Sequence, residues 1–282
     1  MEKIAVITDT ASDLSPELIG DLDIRILPFR IVYPDREYID GVDITSDKIY
    51  ADMKDTVIRS SIPSLEDTTN LFDRLRTEGF THVLAVTLSE GLSGIAGSIR
   101  LIAKNFPELT THVEDSRSIS LGEGVLALEA ARMVRENLPF DRIVSEISAL
   151  KSRVKLYFVV ETLEYLIRGG RIGRIGGTLA EMLNVKPVIS SSLEDGKYFT
   201  IAKVRGRRKS IGKLLELAAE YVREKKAQAY ILHGNAMAEM EAFAQEVRKL
   251  ENISQVILGG NITPVAGVHS GPGLIGIVLV TE

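Results

Sequence analysis

Three polar turns in the first half of the chain carry the side chains best suited to chemistry. They are Thr8–Ser15 (TDTASDLS), Arg59–Ser64 (RSSIPS) and Leu88–Ile99 (LSEGLSGIAGSI). In open α/β sheets, ligands bind beyond the carboxyl ends of the strands, and we expect all three turns to lie there. Hydroxyl groups and helix N-termini at such an edge suit a carboxylate or a phosphate.

Ser93 stands between Gly91 and Gly94, where a predicted strand turns into a predicted helix. One interpretation is a nucleophile, although the second glycine comes one place earlier than in the G-x-S-x-G elbow of hydrolases. A second is a helix N-cap. A third is an anion site that uses the free N–H groups of the helix. This stretch alone leaves all three open.

Beyond these turns, the best candidate among the four histidines is His269, in the glycine-rich segment HSGPG before the last predicted strand. The order Ser93 then His269 fits a hydrolase triad, so a serine hydrolase stays open. Ser60 and Ser61 have no obvious structural duty beside Pro63. Two carboxylates, Asp9 and Asp13, are too few to predict a metal site.

Two basic segments could contact phosphate or an acidic partner. RGGRIGRIGG (168–177) carries Arg171, and KVRGRRKS (203–210) carries Arg205. Neither contains the lysine-bearing Walker motif, which argues against nucleotide binding by this chain. A solvated surface is the alternative for each segment.

The elements that position these residues change character along the chain. The first half alternates strand and helix patterns, which favours a parallel sheet covered by helices. The second half contains Glu194–Lys197 (EDGK), a hairpin signal, beside helix–strand units. We therefore predict an α/β fold of two domains: an N-terminal parallel-sheet domain over 1–153 and a C-terminal α+β domain with a mixed sheet over 154–282.

Composition excludes several function classes. The 282 residues include no cysteine, which removes disulfides, thiolate metal sites and cysteine catalysis. Lys and Arg number 34 against 39 Asp and Glu, and the net charge of −5 argues against general nucleic-acid binding. With no signal peptide and no apolar run long enough to span a membrane, we expect a cytoplasmic protein.

Six motifs in order along the chain resemble the DegV family of bacterial fatty-acid-binding proteins. They are TDTASDL, SSIPS, LSEGLSGIAGS, VVETLEYLIRGGRIG, KVRGRRKS and HSGPGLIGIV, and they extend from Thr8 to Val278. The resemblance implies two α/β domains and a buried long-chain fatty acid as ligand. It implies no catalysis by this chain and no cofactor. Several members carry the acyl group for a separate fatty acid kinase.

The resemblance also implies roles for individual residues. The serine-rich motifs and HSGPG would hold the carboxylate; matched motif by motif, they supply Ser60, Ser61, Ser93, Gly94 and His269. Arg171 and Arg205 match the family's basic motifs, and we expect them to contact a partner kinase or the phosphoryl group. We further expect peripheral membrane contact for acyl exchange.

Departures from the family pattern affect the polar detail of the site. Ile62 replaces a usual glutamine, and Glu90 and Ile95 replace a usual serine and threonine. Glu90 would disfavour a bound anion unless it points away. A binding protein, a serine hydrolase and a phosphotransferase are thus the three hypotheses, and the missing nucleotide motif and elbow glycine favour the first. A tail of a dozen methylenes would contribute on the order of 10 kcal/mol before ordering costs.

Overall fold

The computed structural model describes residues 2–175 and 185–282. The end of the glycine-rich basic segment, Gly176 and Gly177, lies outside the described residues. Within the described ranges, no helix combines the length and the apolar character needed to cross a membrane.

The strands follow one another in chain order. They are β1 (Ile4–Asp9), β2 (Ile24–Leu27), β3 (Arg30–Val32), β4 (Glu37–Ile39), β5 (Arg59–Ser61), β6 (His82–Thr87), β7 (Thr110–Asp115), β8 (Val154–Val159), β9 (Lys186–Ser191), β10 (Tyr198–Val204), β11 (Ala227–Gly234), β12 (Ile253–Asn261) and β13 (Leu274–Thr281).

The helices lie between them. They are α1 (Pro16–Ile19), α2 (Ser46–Asp52), α3 (Leu65–Thr77), α4 (Ile95–Ala103), α5 (Leu121–Arg135), α6 (Phe140–Leu150), α7 (Glu164–Arg168), α8 (Arg207–Tyr221), α9 (Met237–Val247) and α10 (Pro264–Ser270). Short 3-10 turns cover Thr10–Ser12 and Lys151–Arg153.

A parallel sheet in the order β2-β1-β6-β7 forms the first half of the molecule. The buried runs of β1 and β6 occupy its centre, as continuous apolar strands do in parallel sheets. The chain from Ile24 to Val32 divides after Leu27 into two short strands, β2 and β3. Its second part joins a small antiparallel sheet, β4-β3-β5, whose strands of three residues gave no pattern in the sequence.

A mixed sheet in the order β10-β9-β8-β13-β11-β12 forms the second half. The predicted hairpin is present as antiparallel β9 and β10, while β11 and β12 are parallel and joined through α9. The predicted α/β fold class, with one parallel and one mixed sheet, is confirmed. The boundary predicted at 153/154 falls at the end of a 3-10 turn, before β8; the division into domains stays a prediction.

The two faces of the mixed sheet bury different sets of side chains. On β13, Ile275, Ile277 and Leu279 belong to a core cluster with residues of α8 and α9. The alternate residues Leu274 and Val278 belong to the larger core, which is continuous with the parallel sheet and its helices. The face between the two halves is therefore where a cavity could form.

Candidate functional site

Ser93 lies in the tight connection between β6 and α4. Its Oγ accepts a hydrogen bond from Ile95 N at 3.3 Å, while Gly94 is the N-cap and has no side-chain cap. The free N–H groups at the N-terminus of α4 are thus only partly satisfied by protein acceptors, which leaves donors for an anion.

Gly91, two residues before Ser93, is required by packing within the protein. A Cβ on Gly91 would lie 2.4 Å from Asp195 O and 2.7 Å from Gly196 O. Gly91 therefore lets the β9–β10 turn pack against this connection, and close approach to a ligand does not explain it.

Ser60 and Ser61 lie on β5, in the small antiparallel sheet. Ser60 Oγ and His269 Nε2 are 2.7 Å apart, which is a short hydrogen bond across 209 residues of sequence. Ser64, after Pro63, is the N-cap of α3 and forms a complete capping box with Asp67. The hydroxyl of Ser64 therefore has a structural role, whereas Ser60 and Ser61 line the cavity.

His269 occupies the last turn of α10, so the glycine-rich segment HSGPG begins on a helix, which ends before Gly271. Burial, followed by the nearby charge of Arg171, lowers the pKa of His269 to about 4. The imidazole is therefore uncharged at neutral pH. Its Nδ1 is buried and has no hydrogen-bond partner among the residues that the structure describes.

The opposite end of α10 is fixed by two carboxylates from the first half of the chain. Asp13 accepts hydrogen bonds from the N–H and the hydroxyl of Thr263, both at 2.7 Å. Asp40 Oδ1 accepts one from Val265 N at 3.3 Å. These bonds satisfy free N–H groups of the helix and hold the element that presents His269.

Arg171 connects these features. Its Nε donates to Leu92 O at 3.1 Å and its Nη1 to Gly169 O at 2.7 Å. Gly169 in turn touches the histidine, since a Cβ there would lie 2.1 Å from His269 Nδ1. Arg171 therefore lies between the Ser93 turn and His269, at the site itself.

We call Ser60, Ser61, Ser93, Arg171 and His269 the polar cluster. All five line one cavity between the two halves, with an empty volume of about 910 Å³ that includes open solvent. Most other lining side chains are apolar. They include Phe29, Ile62, Leu88, Leu92, Ile119, Leu156, Phe158, Leu166, Leu232, Ile262, Val265 and Leu274.

Other predicted residues lie elsewhere. Arg205 is exposed after β10 and does not line the cavity; it precedes the N-cap of α8, Gly206. Glu90 is exposed and forms an ion pair with Arg100, so its charge points away from the cavity. Gly94 lines the cavity together with Ser93.

Sequence reasoning missed the burial of four carboxyl groups, one of which, on Asp13, also lines the cavity. Asp9, Asp13, Asp40 and Glu123 are all at most 4% exposed. Burial raises the pKa of Asp13 to about 6 and that of Asp40 to about 7. Burial also raises the pKa values of Asp9 and Glu123. The one signal in the sequence was Glu123 between two glycines of an apolar helix, Gly122 and Gly124.

The geometry does not assemble a hydrolase triad. His269 pairs with Ser60, whereas Ser93 Oγ accepts from Ile95 N. Across 2–175 and 185–282, no acidic group bonds His269 Nδ1, so the imidazole lacks the orienting partner of a triad. In the same ranges, no group of three or more acidic or histidine side chains is arranged to hold a metal ion.

A family model described as "Uncharacterised protein, DegV family" matches residues 3–282. A DegV domain-containing protein of Clostridium acetobutylicum is 46% identical over 282 residues, with both chains covered completely.

Solved structures share the fold. A DegV family protein of Thermus thermophilus, described by its fatty acid binding, is 29% identical at a TM-score of 0.91, with 99% of each chain covered. A stearic acid-binding protein of Eubacterium ventriosum is 28% identical at a TM-score of 0.89, with 99% of this chain and 98% of the other covered.

Proposed function

Since this chain belongs to the DegV family, we propose that it binds a long-chain fatty acid in the cavity between its two halves. The carboxylate would lie at the polar cluster and the acyl tail along the apolar walls. The observation that carries the proposal is the continuity of hydroxyl groups and apolar side chains within one cavity. Fatty acid binding by the Thermus and Eubacterium proteins supports it.

The carboxylate would be held by hydroxyl groups, a helix N-terminus and the positive charge of Arg171. Burying a carboxylate is unfavourable unless donors satisfy its oxygens. Ser61 and Ser93 supply hydroxyl donors, and the N-terminus of α4 supplies a favourable dipole. Arg171 adds positive charge at the same end of the cavity.

Ser60 can donate its hydroxyl hydrogen to the carboxylate only if its Oγ accepts a hydrogen bond from the Nε2–H group of His269. An uncharged imidazole carries one ring proton, and this arrangement needs it on Nε2. The lowered pKa of His269 agrees with such an uncharged ring. His269 would then orient the Ser60 hydroxyl toward the ligand.

The direct test is denaturing extraction of the purified protein followed by mass spectrometry, together with titration of delipidated protein with stearic acid. We expect about one fatty acid per chain and saturable binding. Extracts without fatty acid, combined with no binding of added stearic acid, would refute the proposal.

We also propose that the bound carboxylate is presented to a separate fatty acid kinase, with Arg171 and Arg205 contacting the kinase or the transferred phosphoryl group. Arginine binds phosphate through two parallel hydrogen bonds, which favours it at such a surface. Arg205 is exposed and free to meet a partner. Membrane contact for acyl exchange and a cytoplasmic location stay predictions.

Two measurements on Arg171→Ala and Arg205→Ala test the kinase proposal: stearic acid affinity, and acyl phosphate formation with added fatty acid kinase and ATP. Retained affinity with reduced phosphorylation supports it. Normal phosphorylation in both variants would refute it. Loss of affinity in Arg171→Ala alone would assign that guanidinium to the carboxylate.

A further inference from the structure

A glycine interrupts the apolar sequence of β13. The strand reads Leu-Ile-Gly-Ile-Val-Leu-Val-Thr, and Gly276 lies in its interior, between the neighbouring strands β8 and β11. Glycine in a strand interior is unfavourable, because it has no side chain to pack and loses more conformational freedom on folding. A compensating reason is therefore expected at this position.

The backbone does not require glycine there. Gly276 has no positive φ, unlike Gly271 and Gly273 in the preceding turn. A Cβ would meet Leu274 Cδ2 at 3.6 Å, Phe158 Cβ at 3.7 Å and Tyr157 O at 3.9 Å, which are ordinary contacts. Neither backbone strain nor a steric clash explains the absence of a side chain.

The surroundings of Gly276 supply the reason. In the register of the sheet, Gly276 pairs with Leu232 on one side and with Phe158 on the other. All three line the cavity, and so does Leu274, two residues earlier on the same strand face. The row Leu232–Gly276–Phe158 is thus part of the cavity wall, with a gap at its centre.

We infer that Gly276 sets the length of the acyl chain that the cavity accepts, because the space left by its missing side chain is filled by ligand methylenes. This inference rests on the proposed fatty acid binding. The row around Gly276 is apolar and lies on β8, β13 and β11, whereas no residue of the polar cluster lies on these strands. We therefore assign the gap to the acyl tail and not to the carboxylate. A larger side chain at residue 276 would end the cavity sooner.

The test compares wild type with Gly276→Ala and Gly276→Val, using delipidated protein and saturated fatty acids of 12, 14, 16 and 18 carbons. Each buried methylene changes affinity about fourfold, which is about 0.8 kcal/mol. We expect Gly276→Val to reduce the preference for 18 over 12 carbons at least about tenfold, or about 1.4 kcal/mol. Gly276→Ala should give a smaller shift in the same direction.

Gly212→Ala is the matched control, because Gly212 is exposed on α8 and a Cβ there has nothing within 4 Å. It should leave chain-length preference unchanged. Melting curves establish that each variant is folded, and Gly276→Ala, which adds only ordinary contacts, keeps the comparison open if the valine variant unfolds.

Two outcomes separate the inference from the function on which it rests. If wild type binds none of the acids, the proposed function fails. If wild type binds them but both Gly276 variants weaken all four lengths by the same factor, or not at all, the inference is wrong while fatty acid binding stands.

Discussion

In the wild-type protein, ionisation of Asp40 is expected to lower the free energy of unfolding as the pH rises from 5 to 8.5. Replacing Asp40 by asparagine should remove this contribution. Asp40 is fully buried, and burial, with smaller contributions from Asp13 and Asp9, raises its pKa from 3.8 to about 7. Its Oδ2 has no hydrogen-bond partner in the described part of the chain. An ionised Asp40 is therefore poorly solvated in the folded protein.

The sign follows from the proton balance of folding. Between pH 4 and 7 the folded carboxyl holds a proton that the unfolded one has released. The resulting stabilisation is complete below the unfolded pKa and is lost as the pH rises through the folded value near 7. Between pH 5 and 8.5, the loss of this stabilisation lowers the free energy of unfolding by about 3 kcal/mol.

Asparagine keeps the Oδ1 acceptor for Val265 N–H and stays neutral at every pH. The variant can differ from wild type at pH 5, because its amide N–H groups are buried, but that difference does not depend on pH. The useful quantity is therefore the stability difference between variant and wild type, which we expect to shift by about 3 kcal/mol in favour of Asp40→Asn between pH 5 and 8.5.

Urea unfolding at pH 5, 6, 7 and 8.5 measures this difference. Asp55→Asn, at an exposed carboxyl, controls for the loss of one negative charge. If the difference between Asp40→Asn and wild type is the same at all four pH values, Asp40 is ionised in the folded protein throughout, and the assignment of a high pKa from its burial is wrong.

Three further substitutions test the polar cluster through fatty acid affinity. Ser93→Ala should weaken stearic acid binding by about 1.5–3 kcal/mol, whereas Ser98→Ala, on α4 and outside the cavity, should not; equal effects would contradict a role for Ser93. Ser60→Ala and His269→Ala should be non-additive in a double-mutant cycle, with a coupling of at least about 0.5 kcal/mol, and additive losses would mean that the imidazole does not orient the hydroxyl. Gly169→Ala should displace His269, because the added Cβ would lie 2.1 Å from Nδ1, and should therefore weaken binding about as much as His269→Ala; full affinity would refute this packing argument.

Much of the fold could be predicted because its long elements have strong local patterns. The apolar runs of β1 and β6 predict a buried parallel sheet. The Asp-Gly turn predicts the β9–β10 hairpin, and Ser64 begins α3 as expected. In each of these places the local preference and the tertiary structure agree.

The elements missed are short ones that depend on tertiary contacts. Strands of three residues, such as β3, have no detectable periodicity. Helix α10 has a start signal, a threonine followed by proline at the first helical position, but it is only seven residues long and contains Gly267, so its pattern in the sequence is weak.

The motifs predicted several residues that meet at the cavity, but they did not predict the contacts and the burial of individual side chains. Ser60, Ser93 and His269 do line one cavity. Arg171 lies at the cavity and Arg205 is exposed, but their basic segments are too similar for the sequence to predict this difference. Nor could the sequence tell that Asp40 is buried, because exposed and buried aspartates look alike without their neighbours.

The contacts that hold α10 also determine when the cavity can exist during synthesis. Asp13 meets Thr263 across 250 residues, and Ser60 meets His269 across 209. A ribosome adds roughly 5–20 residues per second, so Asp13 and Ser60 wait at least about ten seconds for their partners Thr263 and His269. Throughout that interval the apolar surfaces of the parallel-sheet half are without their cover, and a nascent chain that stops before Pro264 lacks the part of the cavity wall that α10 and β13 supply. The proposed loading with fatty acid would then follow the emergence of α10 from the ribosome, and surveillance by chaperones should concentrate on chains that lack this helix.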